Sequence, residues 1–316
     1  MRSKNIRYGL ILNPTAGQGR GRKIRARLLE ELAKAGLDYC DLSQPTASLA
    51  FRYATQREKD YDALIVVGGD GMVHLGLNLV AGTNKALGII AIGSGNDFAR
   101  HLHLPIRNIT DSIRTITINN PRPVDAMKLT PIGAQKWNET TYNMPWRWAG
   151  GVVSAGFDSQ VNSRANGYAW PKGHARYVRG VLRELPRFHP YPYVVNIDED
   201  RYTFRGALVA VANTPSFGGG LKIAPHARLD SGQLEVVMAH ELTRWQLLRV
   251  FPKLYAGAHT NHPVVAMASG HNVTIGADKG GIIPEVFADG ERIGAGPVKI
   301  EVAAGAVQIL CPRLEV

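Results

Sequence analysis

Three short runs of uninterrupted apolar residues, "YGLILN" (8–13), "ALIVV" (63–67) and "ALGIIAI" (86–92), recur through the first 120 residues with helix-like stretches between them. Alternation of apolar and polar residues would mark strands wet on one side. Unbroken runs suit strands covered on both faces, which is the situation of a parallel sheet. The intervening segments carry the complementary signal. "GRKIRARLLEELAKAG" (21–36) places Ile24, Leu28 and Leu32 at helical spacing and Gly36 where a helix stops. "VHLGLNLVA", "DFARHLHL" and "TDSIRTIT" also read as helices. The alternation predicts a doubly wound, mostly parallel α/β sheet.

Beyond "NNPRPVDAMKL" (119–129) the pattern changes. Short β-rich runs dominate, among them "GGVVSAGF", "YVVNID", "GALVAVAN", "LEVVMA", "NVTI", "EVFA" and "VKIEVA", parted by Gly, Pro, Asn and Asp. That is the pattern of an antiparallel sandwich or barrel. Helix-like segments interrupt it around 174–186 and 242–256. A boundary near 121–124 follows, giving an α/β domain over 1–123 and a β-sandwich domain over 124–304. The last apolar run, "VQILC" (307–311), has no helix after it. It is expected to return to the first domain as an added strand, about 305–316.

Each of three loops in the first domain follows an apolar strand, is rich in glycine and opens a helix: "NPTAGQGRG" (13–21), "GGDGM" (68–72) and "GSGND" (93–97). In an open α/β sheet such loops emerge together at the carboxyl edge, where ligands bind. Bare backbone and helix N-termini favour phosphate. None matches G-x-x-x-x-G-K-[ST] or the full G-x-G-x-x-G spacing. A triphosphate held by backbone, with aspartates organising magnesium, fits better. The charge agrees: +11 formally, with a pI near 9.7, which suits phosphate-bearing partners. Two distant cysteines, Cys40 and Cys311, make no disulfide framework or metal spacing, as in a reducing cytoplasm. No apolar run approaches the roughly 20 residues of a membrane span, and the basic N-terminal stretch is too short for a signal peptide.

"NPTAG", "GGDG" and "GSGNDFAR", followed by "GGGLKIAPHARLDSG" (218–232) and "ADGE" (288–291), resemble the diacylglycerol kinase catalytic family of lipid kinases, in order and spacing over nearly the whole chain. The resemblance implies an ATP-binding first domain, a β-sandwich lipid-substrate domain, and an active site in the cleft between them. Asn13, Pro14, Gly17 and Arg20 would belong to the first nucleotide loop, with Ser43 in the nucleotide set. Gly68, Gly69, Asp70, Gly71, Met72 and His74 would wrap the phosphates, with Asp70 near a catalytic Mg²⁺. Ser94, Gly95, Asn96 and Asp97 form the third loop. Glu291 would take the proton of the lipid hydroxyl as it attacks the γ-phosphorus, making Glu291, Asp70 and Asp97 the catalytic set.

Departures are visible. Met72 replaces a threonine, His74 an asparagine and Ala91 a proline of the usual pattern. Ser231 replaces an acid in the turn that would hold a structural magnesium through Arg228, Asp230, Ser231 and Gln233, which puts that metal in doubt. "HARYVRGVLRELPRF" (174–188) sets Arg176, Arg179 and Arg183 on one helical face and apolar residues on another. It reads either as a core-packed helix or as one that lies on anionic lipid. The expected partners are ATP and a lipid acceptor at an anionic membrane surface, with no nucleic acid, and a homodimer is compatible. The protein is expected to be cytoplasmic and peripherally membrane-associated. The alternatives are a soluble small-molecule kinase of the NAD kinase type and a nucleotide-binding regulator without turnover.

Overall fold

A computed structural model describes residues 6–13, 21–133, 146–166, 174–278 and 280–312. They fall into two compact units: one up to Val124 and from Gly305 onward, the other comprising the described residues between Asp125 and Ala304.

In the first unit the strands are β1 (Arg7–Leu12), β2 (Asp38–Asp41), β3 (Ala63–Gly68) and β4 (Ala86–Ala91), and the helices are α1 (Gly21–Lys34), α2 (Ala47–Gln56), α3 (Asp70–Val80), α4 (Asp97–His101) and α5 (Ile109–Ile118). β1 lies between β2 and β3, β4 joins β3, and all pairings are parallel. Leu10, Leu12, Ile65 and Val67 pack with Leu28 and Leu32 of α1 and Ile113 and Ile116 of α5. On the opposite face α3 comes so close that a Cβ on Gly76 would lie 3.0 Å from Val66 and 2.9 Å from Leu87. The strands are therefore covered on both sides, which is why their sequences show no alternation. α2 was not legible in the sequence: only Ala50, Phe51 and Ala54 are buried, and its start is fixed by the Thr46 side chain accepting from the Leu49 N–H.

In the second unit the elements are β5 (Pro121–Pro131, which begins in the first unit), β6 (Arg147–Ala149), β7 (Val152–Gly156), α6 (Phe157–Asn166), α7 (His174–Glu184), β8 (Tyr191–Ile197), β9 (Asp200–Ala212), β10 (Leu234–His240), α8 (Arg244–Val250), α9 (Lys253–Ala256), β11 (Val265–Gly270), β12 (Asn272–Ala277), β13 (Val286–Ala288), β14 (Glu291–Gly294) and β15 (Val298–Leu310). β9 pairs antiparallel with β7, β8 and β10, and the ladder continues through β13 and β12 on its two sides. Its core includes Val153, Tyr193, Val211, Val236, Ile275 and Ile300, in a β-sandwich-like arrangement. α6 is another helix the sequence did not announce, because two of the residues "FDSQVNSRAN" buries, Asp158 and Ser159, are polar, and Phe157 and Val161 alone give no apolar periodicity. β15 pairs with β12 over Val298–Glu301 and, past Gly305, pairs parallel with β4 at Gln308 and Ile309.

Candidate active site

β3 ends at Gly68, and its chain turns through Gly69 into α3, so Asp70 enters the first turn of an eleven-residue helix. β4 ends at Ala91, and Ile92 and Gly93 both donate to the Gly68 carbonyl, at 2.8 and 3.1 Å. These bonds draw the two loops into backbone contact. A Cβ on Gly93 would land on the Gly69 Cα, and one on Gly69 would lie 3.2 Å from the Gly93 Cα. At Gly69 and Gly93 the absence of a side chain is what lets two main chains touch. Asn96 then shapes the second loop: it sits in the left-handed region (φ 60°), its Oδ1 accepts from the Gly93 N–H at 3.0 Å, and its Nδ2 donates to the Gly93 carbonyl at 2.9 Å. An asparagine tolerates that backbone and closes the loop on itself.

The turn brings the Asn96 N–H to Asp70 Oδ2 at 2.8 Å. Gly95 lies beneath both acids: a Cβ there would fall 2.5 Å from Asp70 Oδ2 and 3.8 Å from Asp97 Oδ2. Two carboxylates thus border the space above a bare glycine. This donor set suits Mg²⁺, which is typically held by one or two carboxylates plus substrate phosphates. Among the described residues no group of three or more His, Cys, Asp and Glu side chains is placed to hold a metal by itself. The nucleotide's own oxygens would complete the shell.

The other nucleotide candidates are distributed less evenly. Asn13 donates its N–H to Val67 at 3.2 Å, and its Cβ is 3.7 Å from where a Gly68 Cβ would stand. The Ser43 hydroxyl accepts from the Leu12 N–H at 2.9 Å, fixing the end of β1. Met72 packs its side chain over Gly68, and the His74 ring is buried in α3, so both turn inward. Gly71 and Ser94 are exposed. Pro14, Gly17 and Arg20 lie outside the described residues. Two cations absent from the nucleotide set also belong to this edge. Arg100 Nε donates to the Gly95 carbonyl at 3.1 Å and Arg107 Nε to the Gly93 carbonyl at 3.2 Å, placing positive charge around the loop. Arg100 was in view within "GNDFAR"; Arg107 carried no signal.

In the second unit, Asp289 and Gly290 form the two-residue loop between β13 and β14, with φ of 52° and 82°. Both central residues at positive φ is the Asp-Gly geometry of a tight hairpin. The Asp289 carboxylate accepts from the Gly150 and Gly151 N–H groups at 3.0 and 2.7 Å. Asn213, fully buried, donates from Nδ2 to the carbonyls of Gly150 and Asp125. Asp125, buried in β5, accepts from the Gly232 N–H at 2.7 Å. A continuous scaffold therefore joins the Arg228–Gln233 turn to the hairpin that presents Glu291, which is exposed at the start of β14. Asp125 and Asn213 were missed as scaffold residues, although Asp125 stands as a lone carboxylate among the apolar residues of "PVDAM".

The Arg228–Gln233 turn is closed by a hydroxyl. Ser231 Oγ lies 3.2 Å from the Arg228 carbonyl and 3.0 Å from the Gln233 carbonyl, and it accepts from the Gln233 N–H at 3.2 Å. Asp230 faces the Arg228 guanidinium at 3.2 Å. Backbone oxygens that would face a cation converge on the Ser231 hydroxyl, and the nearby acid is paired with arginine. This donor set does not fit a resident Mg²⁺.

The second unit also holds a concavity of about 690 Å³, bounded by α6 from Ser159 to Arg164, by Glu184 of α7, and by Ile283–Phe287 leading into β13. Arg164 and Glu184 form an ion pair in its wall, and the Arg292 guanidinium holds Glu285 below the ordinary carboxylate range. Next to it in the chain, Asp158 is 5 % exposed, and burial pushes its carboxyl up to about 6.

A parallel α/β unit with two glycine loops in contact and paired carboxylates thus shares one chain with a β-sandwich-like unit. Residues 7–129 match the family model described as "Diacylglycerol kinase catalytic domain", and residues 151–311 match "YegS C-terminal NAD kinase beta sandwich-like domain". The chain is 33% identical over 305 residues to the diacylglycerol kinase of Mycobacterium tuberculosis (strain ATCC 25618 / H37Rv), covering 96% of this chain and 94% of that one. It is 25% identical over 302 residues to the diacylglycerol kinase of Bacillus subtilis (strain 168), covering 89% and 92%. In fold it is similar to the crystal structure of a Bacillus anthracis str. Sterne diacylglycerol kinase, with a TM-score of 0.71 and 21% identity over 100% of both chains. The chain belongs to the diacylglycerol kinase catalytic-domain family and is a phosphotransferase of the lipid-kinase type. Among the described residues no helix is long and apolar enough to cross a membrane.

Proposed function

We propose that the protein transfers the γ-phosphate of ATP, with Mg²⁺, to the hydroxyl of a membrane lipid such as diacylglycerol. The observation that carries this reading is the meeting of the Gly68–Gly71 and Gly93–Asp97 loops, with the Asp70 and Asp97 carboxylates bordering the space over Gly95. The relatives' common name, diacylglycerol kinase, supports the acceptor class.

In this reading the α/β unit, residues 1–123 with the C-terminal strand, binds ATP. The sandwich unit, 124–304, binds the lipid. Gly68, Gly69 and Gly71 lay bare backbone against phosphate, and Arg100 and Arg107 add positive potential beside it. Asp70 and Asp97 would hold Mg²⁺. When bound, the ion neutralises charge on the transferring phosphoryl group and keeps it in line with its acceptor. Glu291, the proposed base, accepts the hydroxyl proton as the oxygen attacks phosphorus. The enzyme would meet its acceptor at a membrane surface, as a peripheral protein of the cytoplasm.

The decisive experiment offers radiolabelled ATP and Mg²⁺ together with extracted lipids, NAD or no acceptor. Label is expected in a lipid phosphate, and Asp70→Asn is expected to abolish that transfer while weakening nucleotide binding less. Label in NADP, or none above the acceptor-free blank, would overturn the reading, and full activity of Asp70→Asn would make that residue structural.

A further inference from the structure

α6, α7 and α8 pack on the same cluster of the second unit: Val161, Val181 and Leu247 sit together with Phe157, Phe188 and Leu242. That packing settles which faces are inward, and the outward faces are unusual. On α7, Val178 and Leu182 stand four residues apart and both are exposed, Leu182 at 58 %. Arg183 and Arg187 stand four apart beside them, also exposed. On α8, Trp245 is 75 % exposed, with Arg249 one turn on. A leucine and a tryptophan this far out of the core cost solubility unless they have a partner.

Charge on this face identifies the partner. Between Glu241 and Asp278 the chain has no Asp or Glu, while Arg244, Arg249 and Lys253 lie on or beside α8 and α9. The acid of α7, Glu184, is buried and paired with Arg164. Apolar side chains flanked by arginines, with Glu184 turned inward and Glu241, ahead of α8, the one exposed acid among the described residues of this face beside five basic residues, fit a bilayer that carries anionic headgroups. Tryptophan favours the headgroup level, and arginines gain from the negative surface. α7 also connects this face to the concavity, since Glu184 lies in the concavity wall and Ile282, 83 % exposed, precedes Ile283 of the same wall.

We propose that the outward faces of α7 and α8 are a membrane-docking surface, with Leu182 and Trp245 entering the interface of an anionic bilayer and Arg183, Arg187 and Arg249 at its headgroups. Docked in this way, the concavity between α6 and β13 would open beside the lipids. The purpose assigned to docking rests on the lipid-kinase reading, but docking itself does not.

The test is co-sedimentation of the whole chain, without nucleotide or diacylglycerol, with vesicles of phosphatidylcholine alone or of phosphatidylcholine with phosphatidylglycerol. The protein is expected to pellet with the phosphatidylglycerol vesicles and much less with the neutral ones. Leu182→Ser and Trp245→Ala are each expected to weaken partitioning by roughly tenfold or more, the loss of one buried apolar side chain. Arg183→Gln with Arg187→Gln is expected to weaken it by roughly twenty- to thirtyfold at low salt and by less at high salt. Thermal unfolding of each variant at the wild-type temperature shows that it is folded, and transfer to a water-dispersed short-chain acceptor should be unchanged. If Leu182→Ser and Trp245→Ala both partition like wild type, or if neutral and anionic vesicles bind equally, the proposal fails. It also fails if light scattering finds a dimer that Trp245→Ala splits, because the face would then belong to a second copy. Vesicle binding by a protein that phosphorylates no lipid would leave docking standing and remove the kinase reading instead.

Discussion

Gly95→Ala isolates the chemistry of the carboxylate pair from the stability of the loops. The added Cβ would stand 2.5 Å from Asp70 Oδ2, whereas ordinary contact begins at 3.4 Å. Gly95 has no positive φ, so the backbone accepts alanine, and the clash falls on a side-chain end that can rotate away. Asp70 must then retreat by about an ångström, which gives up its 2.8 Å bond from the Asn96 N–H. A hydrogen bond to a charged group is worth about 1.5–3 kcal/mol when buried. Asp70 is half-buried, so the stability loss should be about 1 kcal/mol, or about 2–4 °C in Tm. Turnover should suffer far more, by about 10²–10³-fold, because a preorganised charge at the transferring phosphoryl group is displaced. Gly93→Ala provides the contrast. Its Cβ meets the Gly69 backbone, which cannot rotate away, so the two loops must separate and both Tm and turnover fall. The assay is kcat and KM for ATP at saturating Mg²⁺, with a melting curve for each variant. Wild-type turnover in Gly95→Ala would refute the argument, because Asp70 would then work equally well from a different position.

Glu291→Gln should lower kcat by about 10²–10⁴-fold, at the low end if the transition state is loose, with KM for ATP and Tm nearly unchanged because the side chain is exposed; wild-type turnover would remove it as the base. A chelator should leave the Tm of the nucleotide-free protein unchanged, since the Arg228–Gln233 turn is closed by the Ser231 hydroxyl; a drop reversed by Mg²⁺ would show that a metal is held there. Asp158→Asn should stabilise the fold in a pH-dependent way. Burial lifts the Asp158 carboxyl from 3.8 to about 6, so below about pH 4 it is protonated whether folded or unfolded and costs nothing. The cost grows between those values and is complete above about pH 6, reaching about 3 kcal/mol at most. The difference in urea midpoint between variant and wild type should therefore be absent below about pH 4, grow between pH 4 and 6 and level off above about pH 6; a difference independent of pH would refute this.

Where burial and local backbone geometry repeat along the chain, the amino-acid order was enough. The unbroken apolar runs of β1, β3 and β4 announced strands covered on both faces, because such strands have no wet side to alternate with. The glycines of "GGDG" and "GSGND" announced backbone that something approaches, and in the structure each loop is what approaches the other. Elements with few buried apolar residues left no such trace, which is why α2 and α6 went unseen. Other features depended on groups far apart in the chain. Asp70 meets the Asn96 N–H across 26 positions, and Asp125 meets the Gly232 N–H across 107. The inward turn of Met72 and His74, and the closure of the Arg228–Gln233 turn on a serine hydroxyl, likewise follow from packing and hydrogen-bond direction. Residue type sets what a side chain can donate, accept or bury; only the folded chain decides which partner stands within 3 Å of it.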